Sequence, residues 1–259
     1  MEPLKLTAIL RIKDQIATID ECLAKLSQIV DTIVVLDNGS TDGTLEAYRK
    51  YPKVTKILQT AGFDEGRDKI MLLEEAKRTG ADWIVWLDAD EVFENHFTRE
   101  VAEKYMRSKH NRIVFRMCNF WMNRTDCRYD GNYYLYTLHP QRSMWRNVPS
   151  AYFKNQKIHN GDILGVPGKP HLSIYRLKHY GYADPKKALE KMALYQKVDP
   201  NGSRNYDALI NPKHSYKTFR FREFDTQFIN YLYIVGYKYV CTVLWLVERL
   251  RLRLLRLFK

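Results

Sequence analysis

Two carboxylates, Asp88 and Asp90, flank a single alanine where the apolar run Trp83-Ile-Val-Trp-Leu87 ends. Strand alternation sends residues two apart to the same side. Both acids would then face one point outside the strand end. Paired carboxylates suit a hard divalent cation such as Mn²⁺ or Mg²⁺, which prefers oxygen ligands. Such an ion can neutralise a diphosphate and stabilise it as a leaving group. By itself the pair is also consistent with an acidic strand end facing water. A second polar cluster, Asp37-Asn-Gly-Ser-Thr-Asp42, follows the β-branched run Thr32-Ile-Val-Val-Leu36. Asp37, Ser40 and Asp42 are hydrogen-bonding groups of the kind that hold a base or ribose, and Gly39 allows close backbone approach. Taken alone, this segment reads equally as a turn capped by its own side chains.

Both clusters need elements to carry them. Leu6–Ile12, Thr32–Leu36, Val54–Leu58 and Trp83–Leu87 read as short buried strands. Helices fall between them: one after Thr18-x-x-Glu21, a capping-box pattern, with Ile19, Leu23, Leu26 and Ile29 as its stripe; a short one over Thr44–Lys50; and one over Gly66–Thr79. Strands alternating with helices imply an α/β fold with a mostly parallel central sheet covered on both faces. Ligands bind such sheets outside the carboxyl ends of the strands. Arg11–Asp14, Asp37–Asp42 and Asp88–Glu91 occupy three such ends. Farther on, Ile113–Phe120 reads as a strand, Met122–Gly131 and Gly165–Pro170 as loops, and Asp184-Pro185 as the start of a helix reaching Val198.

These motifs, in this order and about fifty positions apart, resemble glycosyltransferase family 2 with its GT-A nucleotide-binding fold. The resemblance is best over Lys5–Glu94 and weaker through Val198. It implies that Asp37 contacts the nucleoside base, Asp88 the ribose and Asp90 the metal, with Arg67 near the diphosphate and Arg11, Ser40 and Asp42 completing the donor site. Where members often carry Asn-Glu after the first strand, this chain has Asp14-Gln15. Tyr175-Arg-Leu-Lys-His-Tyr-Gly-Tyr182 is similar to the acceptor half of members that build bacterial surface glycans. His159-Asn160 replaces their His-Glu. His179 becomes a third metal ligand beside Asp90 and Asp88, or a diphosphate contact. The implied activity is an inverting transfer from a nucleotide-diphosphate sugar, a UDP-sugar, to a glycan or lipid-linked acceptor. An inverting transfer needs a general base; Asp130 is the candidate, in a loop with aromatic neighbours, and Glu91 the alternative.

The formal charge of +12 favours polyanionic partners. Nucleic acid is disfavoured, because three acidic strand ends would repel its phosphates. A nucleotidyltransferase would carry a Gly-rich basic loop after the first strand, and none is there. A non-catalytic scaffold remains the reading if the metal pair is inert. Four scattered cysteines form no metal or disulfide framework, and the start of the chain has no basic, apolar leader, which fits a cytosolic protein. Residues 1–225 read as the transferase domain, divided near residue 95 into donor and acceptor halves. Residues 226–259 read as an apolar, then basic, helical segment. There Leu250, Leu254, Leu257 and Phe258 share one face, and Arg249, Arg253 and Arg256 another. That pattern predicts peripheral attachment to an anionic inner membrane face, with docking on protein as the alternative.

Overall fold

The structure, a computed structural model, describes residues 2–128, 140–158, 161–198, 217–221 and 223. Residues 1–221 form one compact unit, and residues 222–259 a second that lies almost wholly outside the described residues. The first half runs β1 (Leu6–Ile12), α1 (Ile19–Ile29), β2 (Thr32–Asp37), α2 (Thr44–Tyr48), β3 (Val54–Gln59), α3 (Glu65–Arg78) and β4 (Trp83–Asp88). There follow β5 (Glu91–Phe93), α4 (Arg99–Met106), β6 (Arg112–Trp121), β7 (Asp126–Arg128), β8 (Pro140–Arg146), β9 (His171–Tyr182), α5 (Pro185–Val198) and β10 (Thr218–Arg220).

The sheet order is β10-β7-β6-β8-β4-β1-β2-β3, with β9 beside both β6 and β5. β3, β2, β1 and β4 are parallel. β8 is antiparallel to β4 and to β6, so the expected mostly parallel sheet becomes mixed in its second half. The chain steps outward from β1 to β3, then returns to place β4 on the other side of β1. β1 is therefore the point where strand order reverses, the position at which open α/β sheets bind ligands.

Period-two alternation splits each parallel strand between two cores. Leu10, Val35, Val85 and Leu87 pack with Leu23 and Leu26 of α1, whereas Ile9, Val34, Leu36 and Trp86 pack with Leu72, Leu73 and Ala76 of α3. The helix stripes explain this: Ile19, Cys22, Leu23, Leu26 and Ile29 of α1 are all buried.

Three local expectations change. Thr18 is the N-cap residue of α1 but makes no side-chain cap bond; its hydroxyl donates to Gln15, and Glu21 accepts from Arg124 and from the Tyr180 hydroxyl at 3.1 Å. A local partner has taken the Thr18 half of the capping box and distant ones the Glu21 half. α3 begins a residue earlier than Gly66, capped by Asp64, whose carboxylate accepts the Arg67 N–H at 3.0 Å. The loop expected over Met122–Gly131 contains β7, paired to β6 through Phe120 and Cys127. Asp184 caps α5 as expected, accepting the Lys186 N–H at 2.8 Å.

Candidate active site

The register of the central strands assembles the site. Ile12 stands opposite Asp37 across β1–β2, and Arg11 opposite Asp88 across β1–β4. A cavity of about 1100 Å³ opens at these carboxyl ends, lined among others by Arg11, Asp42, Asp88, Asp90, Lys191 and Tyr195.

Asp90 sits in the turn after β4 and is buried. Its Oδ2 lies 3.5 Å from His179 Nε2 and 3.5 Å from Lys191 Nζ. Its Oδ1 is buried with no hydrogen-bond partner. Burial would raise this carboxyl, but the Lys191 ammonium outweighs it and holds Asp90 far below the usual carboxylate range. His179 arrives by sheet pairing: β9 sets it opposite Glu91 of β5 on one side and Asn119 of β6 on the other. Asn119 Oδ1 lies 2.6 Å from His179 Nδ1. An amide oxygen can only accept, so Nδ1 carries a proton, and in the neutral ring the lone pair of Nε2 faces Asp90. A Cβ added at Gly181 would meet Asp90 Oδ2 and His179 Nε2 at 2.6 Å each and Lys191 Nζ at 2.8 Å, so these atoms ring one small gap.

The donor set fits a divalent ion on these observations. Asp90 Oδ2 and His179 Nε2 face a gap with no side chain of its own, and the second carboxylate oxygen, Oδ1, is buried without a partner. Ligands at about 2.1 Å from one ion can stand 3.5 Å apart. Asp90, Glu91 and His179 also have ligand atoms within 4.8 Å of one another. Glu91 is committed elsewhere, however. Its Oε2 accepts from the Asp88 N–H at 3.0 Å and from Arg142 Nε at 2.7 Å, and it is fully buried. Burial raises its carboxyl, with Arg142 only partly opposing.

Asp88 lines the cavity, with Oδ2 held by Arg142 Nη2 at 2.6 Å. Burial is outweighed there by Arg142 and Arg11, which lower its pKa. Arg142 lies 4.1 Å from the centre of the Trp86 ring, and alternation puts Trp86 and Asp88 on one face of β4. Lys69 Nζ is also over Trp86, at 3.6 Å, where burial lowers its pKa to about 7.

The remaining expected residues divide between cavity and framework. Arg11 lines the cavity, 3.3 Å from Glu65 and 4.9 Å from the Phe63 ring. Asp42 also lines it, accepting the Ile16 N–H at 3.0 Å; burial there is outweighed by hydrogen bonds from Thr44 and Ile16, which lower its pKa. Asp37 is fully buried. Its Oδ1 accepts the N–H groups of Gly39 and Ser40 at 2.8 and 2.7 Å, and its Oδ2 accepts the Tyr48 hydroxyl at 2.8 Å. Alternation along β2 puts Asp37 on the α2 side with Val35. Ser40 joins the two strand-end loops: its Oγ accepts the N–H of Asp14, a residue held at φ 50°. Arg67 clamps Asp68 at 2.8 Å and the carbonyls of Ala61 and Gly62 at 3.1 and 3.0 Å, bracing the cavity wall. Asp130 lies outside the described residues.

Sequence reasoning missed Arg142, Asn119, Gly181 and Lys191. One signal was available for the last: Lys187, Lys191 and Tyr195 recur at helical spacing after Asp184-Pro185, and all three line the cavity.

A family model described as Glycosyl transferase family 2 matches residues 8–161. The chain belongs to that family, whose members transfer glycosyl groups. Two solved structures from S. aureus are similar to it. TarS is 17% identical with a TM-score of 0.48, the match covering 79% of this chain and 41% of TarS. TarS 1–349 in complex with UDP is 18% identical with a TM-score of 0.46, covering 79% and 68%. The mannosyltransferase PcManGT from Pyrobaculum calidifontis, in complex with GDP-Man and Mn2+, is 16% identical with a TM-score of 0.39, covering 77% and 65%. The chain thus spans about 41% of the length of full TarS. No curated protein matches it.

Proposed function

We propose that this chain is an inverting glycosyltransferase that uses a nucleoside diphosphate sugar, a UDP-sugar, and a Mn²⁺ or Mg²⁺ ion held by Asp90 and His179. The observation that carries the reading is the buried Asp90 carboxylate, with Oδ2 3.5 Å from the oriented Nε2 of His179 and Oδ1 unpartnered, at the strand-order reversal of a family 2 fold. When bound, the ion would supply charge neutralisation for the diphosphate as it leaves.

The chain's own groups supply the rest. Arg11, Lys13, Lys187 and Lys191 line the cavity and favour an anionic donor. Arg142 fixes the Asp88 carboxylate so that its free lone pairs can accept from ribose hydroxyls. Asp42 gives the donor site a second acceptor. The buried Asp37 serves the donor indirectly by fixing the backbone of Gly39 and Ser40. In the transfer, the acceptor oxygen bonds to the anomeric carbon as the bond from that carbon to the phosphate oxygen breaks. The acceptor proton passes to a carboxylate base, for which Asp130 is the choice and Glu91 the alternative. Glu91 is buried against Arg142 and does not line the cavity, which favours Asp130.

The test is a screen of UDP- and GDP-sugars with Mn²⁺ or Mg²⁺, reading released nucleotide and transferred sugar. One donor is turned over, and Asp90→Ala abolishes turnover with an unchanged melting temperature. Undiminished turnover in EDTA overturns the metal assignment. The acceptor is proposed to be a glycan or lipid-linked and the enzyme peripheral on the inner membrane face, through the basic, apolar segment after residue 225. No helix among the described residues is long and apolar enough to cross a membrane. Anionic liposomes should therefore sediment the full chain but not a form ending at Asp225; both forms staying in the supernatant at low salt removes the membrane reading.

A further inference from the structure

The gap beside Asp90 already has a cation at its edge. Lys191 Nζ stands 3.5 Å from Asp90 Oδ2, and the same small volume that a Cβ at Gly181 would enter is bounded by Lys191 Nζ, Asp90 Oδ2 and His179 Nε2. We infer that the Lys191 ammonium and a divalent cation are alternative occupants of this position, so that metal binding requires Lys191 to leave. The inference rests on the reading that Asp90 and His179 bind a metal.

Two observations support the exchange. The first is charge. Asp88, Asp90 and Glu91 set against Arg142 leave two net negative charges, which a dication matches and which Lys191 alone only half neutralises. With both cations present the cluster becomes positive, and like charges repel strongly where water is scarce. The second is freedom to move. The side chains of Asp90 and His179 are each 9% exposed, but that of Lys191 is 28% exposed and lines the open cavity from α5. Four rotatable bonds let its ammonium swing along the wall while the ligands stay in place. The displaced ammonium stays on the cavity wall, where a donor diphosphate would meet it.

The experiment measures Mn²⁺ binding to the full chain without nucleotide, by calorimetry. Removing the competitor in Lys191→Met should tighten Mn²⁺ about tenfold, within the usual range of coupling between linked sites. Lys191→Arg, which keeps the charge, should stay near the wild-type affinity. Unchanged or weaker binding in a folded Lys191→Met overturns the inference. A readout on the wild-type chain needs no substitution: acetylation of Lys191, followed by mass spectrometry, should quicken when Mn²⁺ is added, and an unchanged rate also overturns it. Failure of wild type to bind Mn²⁺ even with UDP present refutes the metal reading itself. A wild type that binds Mn²⁺ with Lys191→Met unaltered refutes only the competition.

Discussion

Gly181→Ala tests the geometry of the site with a single methyl group. The backbone at Gly181 lies outside the left-handed region, so alanine can adopt it and only space is at issue. The new Cβ would stand 2.6 Å from Asp90 Oδ2 and from His179 Nε2, where ordinary contact begins at 3.4 Å. Lys191 can swing aside, but the other two cannot do so freely. His179 is tied to Asn119 at 2.6 Å, and Asp90 is buried. Each must retreat by roughly 0.8 Å, and a displacement near 1 Å in a reacting constellation costs on the order of 10²-fold in rate. Transfer measured as kcat/KM should fall by that factor, about 2.7 kcal/mol of transition-state stabilisation. Mn²⁺ affinity should weaken, the opposite of the effect expected for Lys191→Met. Overpacking of this kind destabilises by about 1–3 kcal/mol, so the variant should melt somewhat lower yet remain folded. Wild-type kcat/KM and wild-type Mn²⁺ affinity in Gly181→Ala would refute the placement of the metal and diphosphate at this gap.

Two further outcomes follow from buried groups. Asp37→Ala leaves two backbone N–H groups and the Tyr48 hydroxyl without their acceptor, which should cost on the order of 3 kcal/mol in urea unfolding. Donor Kd should rise more than kcat falls; a large fall in kcat at unchanged Kd contradicts the indirect role given to Asp37. Lys69 has a folded pKa of about 7, against a reference near 10.4 in the unfolded chain. Between these values the unfolded chain binds a proton that the native one lacks, so stability rises with pH across that window, while below it the charged amine imposes its full cost, on the order of 5 kcal/mol. Lys69→Met should therefore gain most over wild type at pH 6 and progressively less towards pH 10. A stability difference that does not vary with pH sinks the assignment.

Much of the first half of the fold was legible in sequence because local rules govern it. Apolar runs interleaved with helix stripes define β1 to β4 and the helices between them, and polar residues at strand ends have few places to go except a shared mouth. Asp88, Asp90, Arg11 and Asp42 all line the cavity for that reason. His179 was legible from its motif, although not which nitrogen would face the carboxylate. Only the tertiary structure decided how these groups are partnered. Asp37 turned toward α2 because the alternation of β2 and the hydroxyl of Tyr48 fix its direction. Glu21 left its capping box for Arg124 and Tyr180, which lie far along the chain. Arg142 reaches Asp88 and Glu91 only because β8 docks antiparallel beside β4, and Lys191 reaches Asp90 only because α5 follows β9 across the site. A periodic pattern states which face of an element is buried. The pairing of charges across that face depends on which distant strand or helix packs there, and no local spacing encodes it.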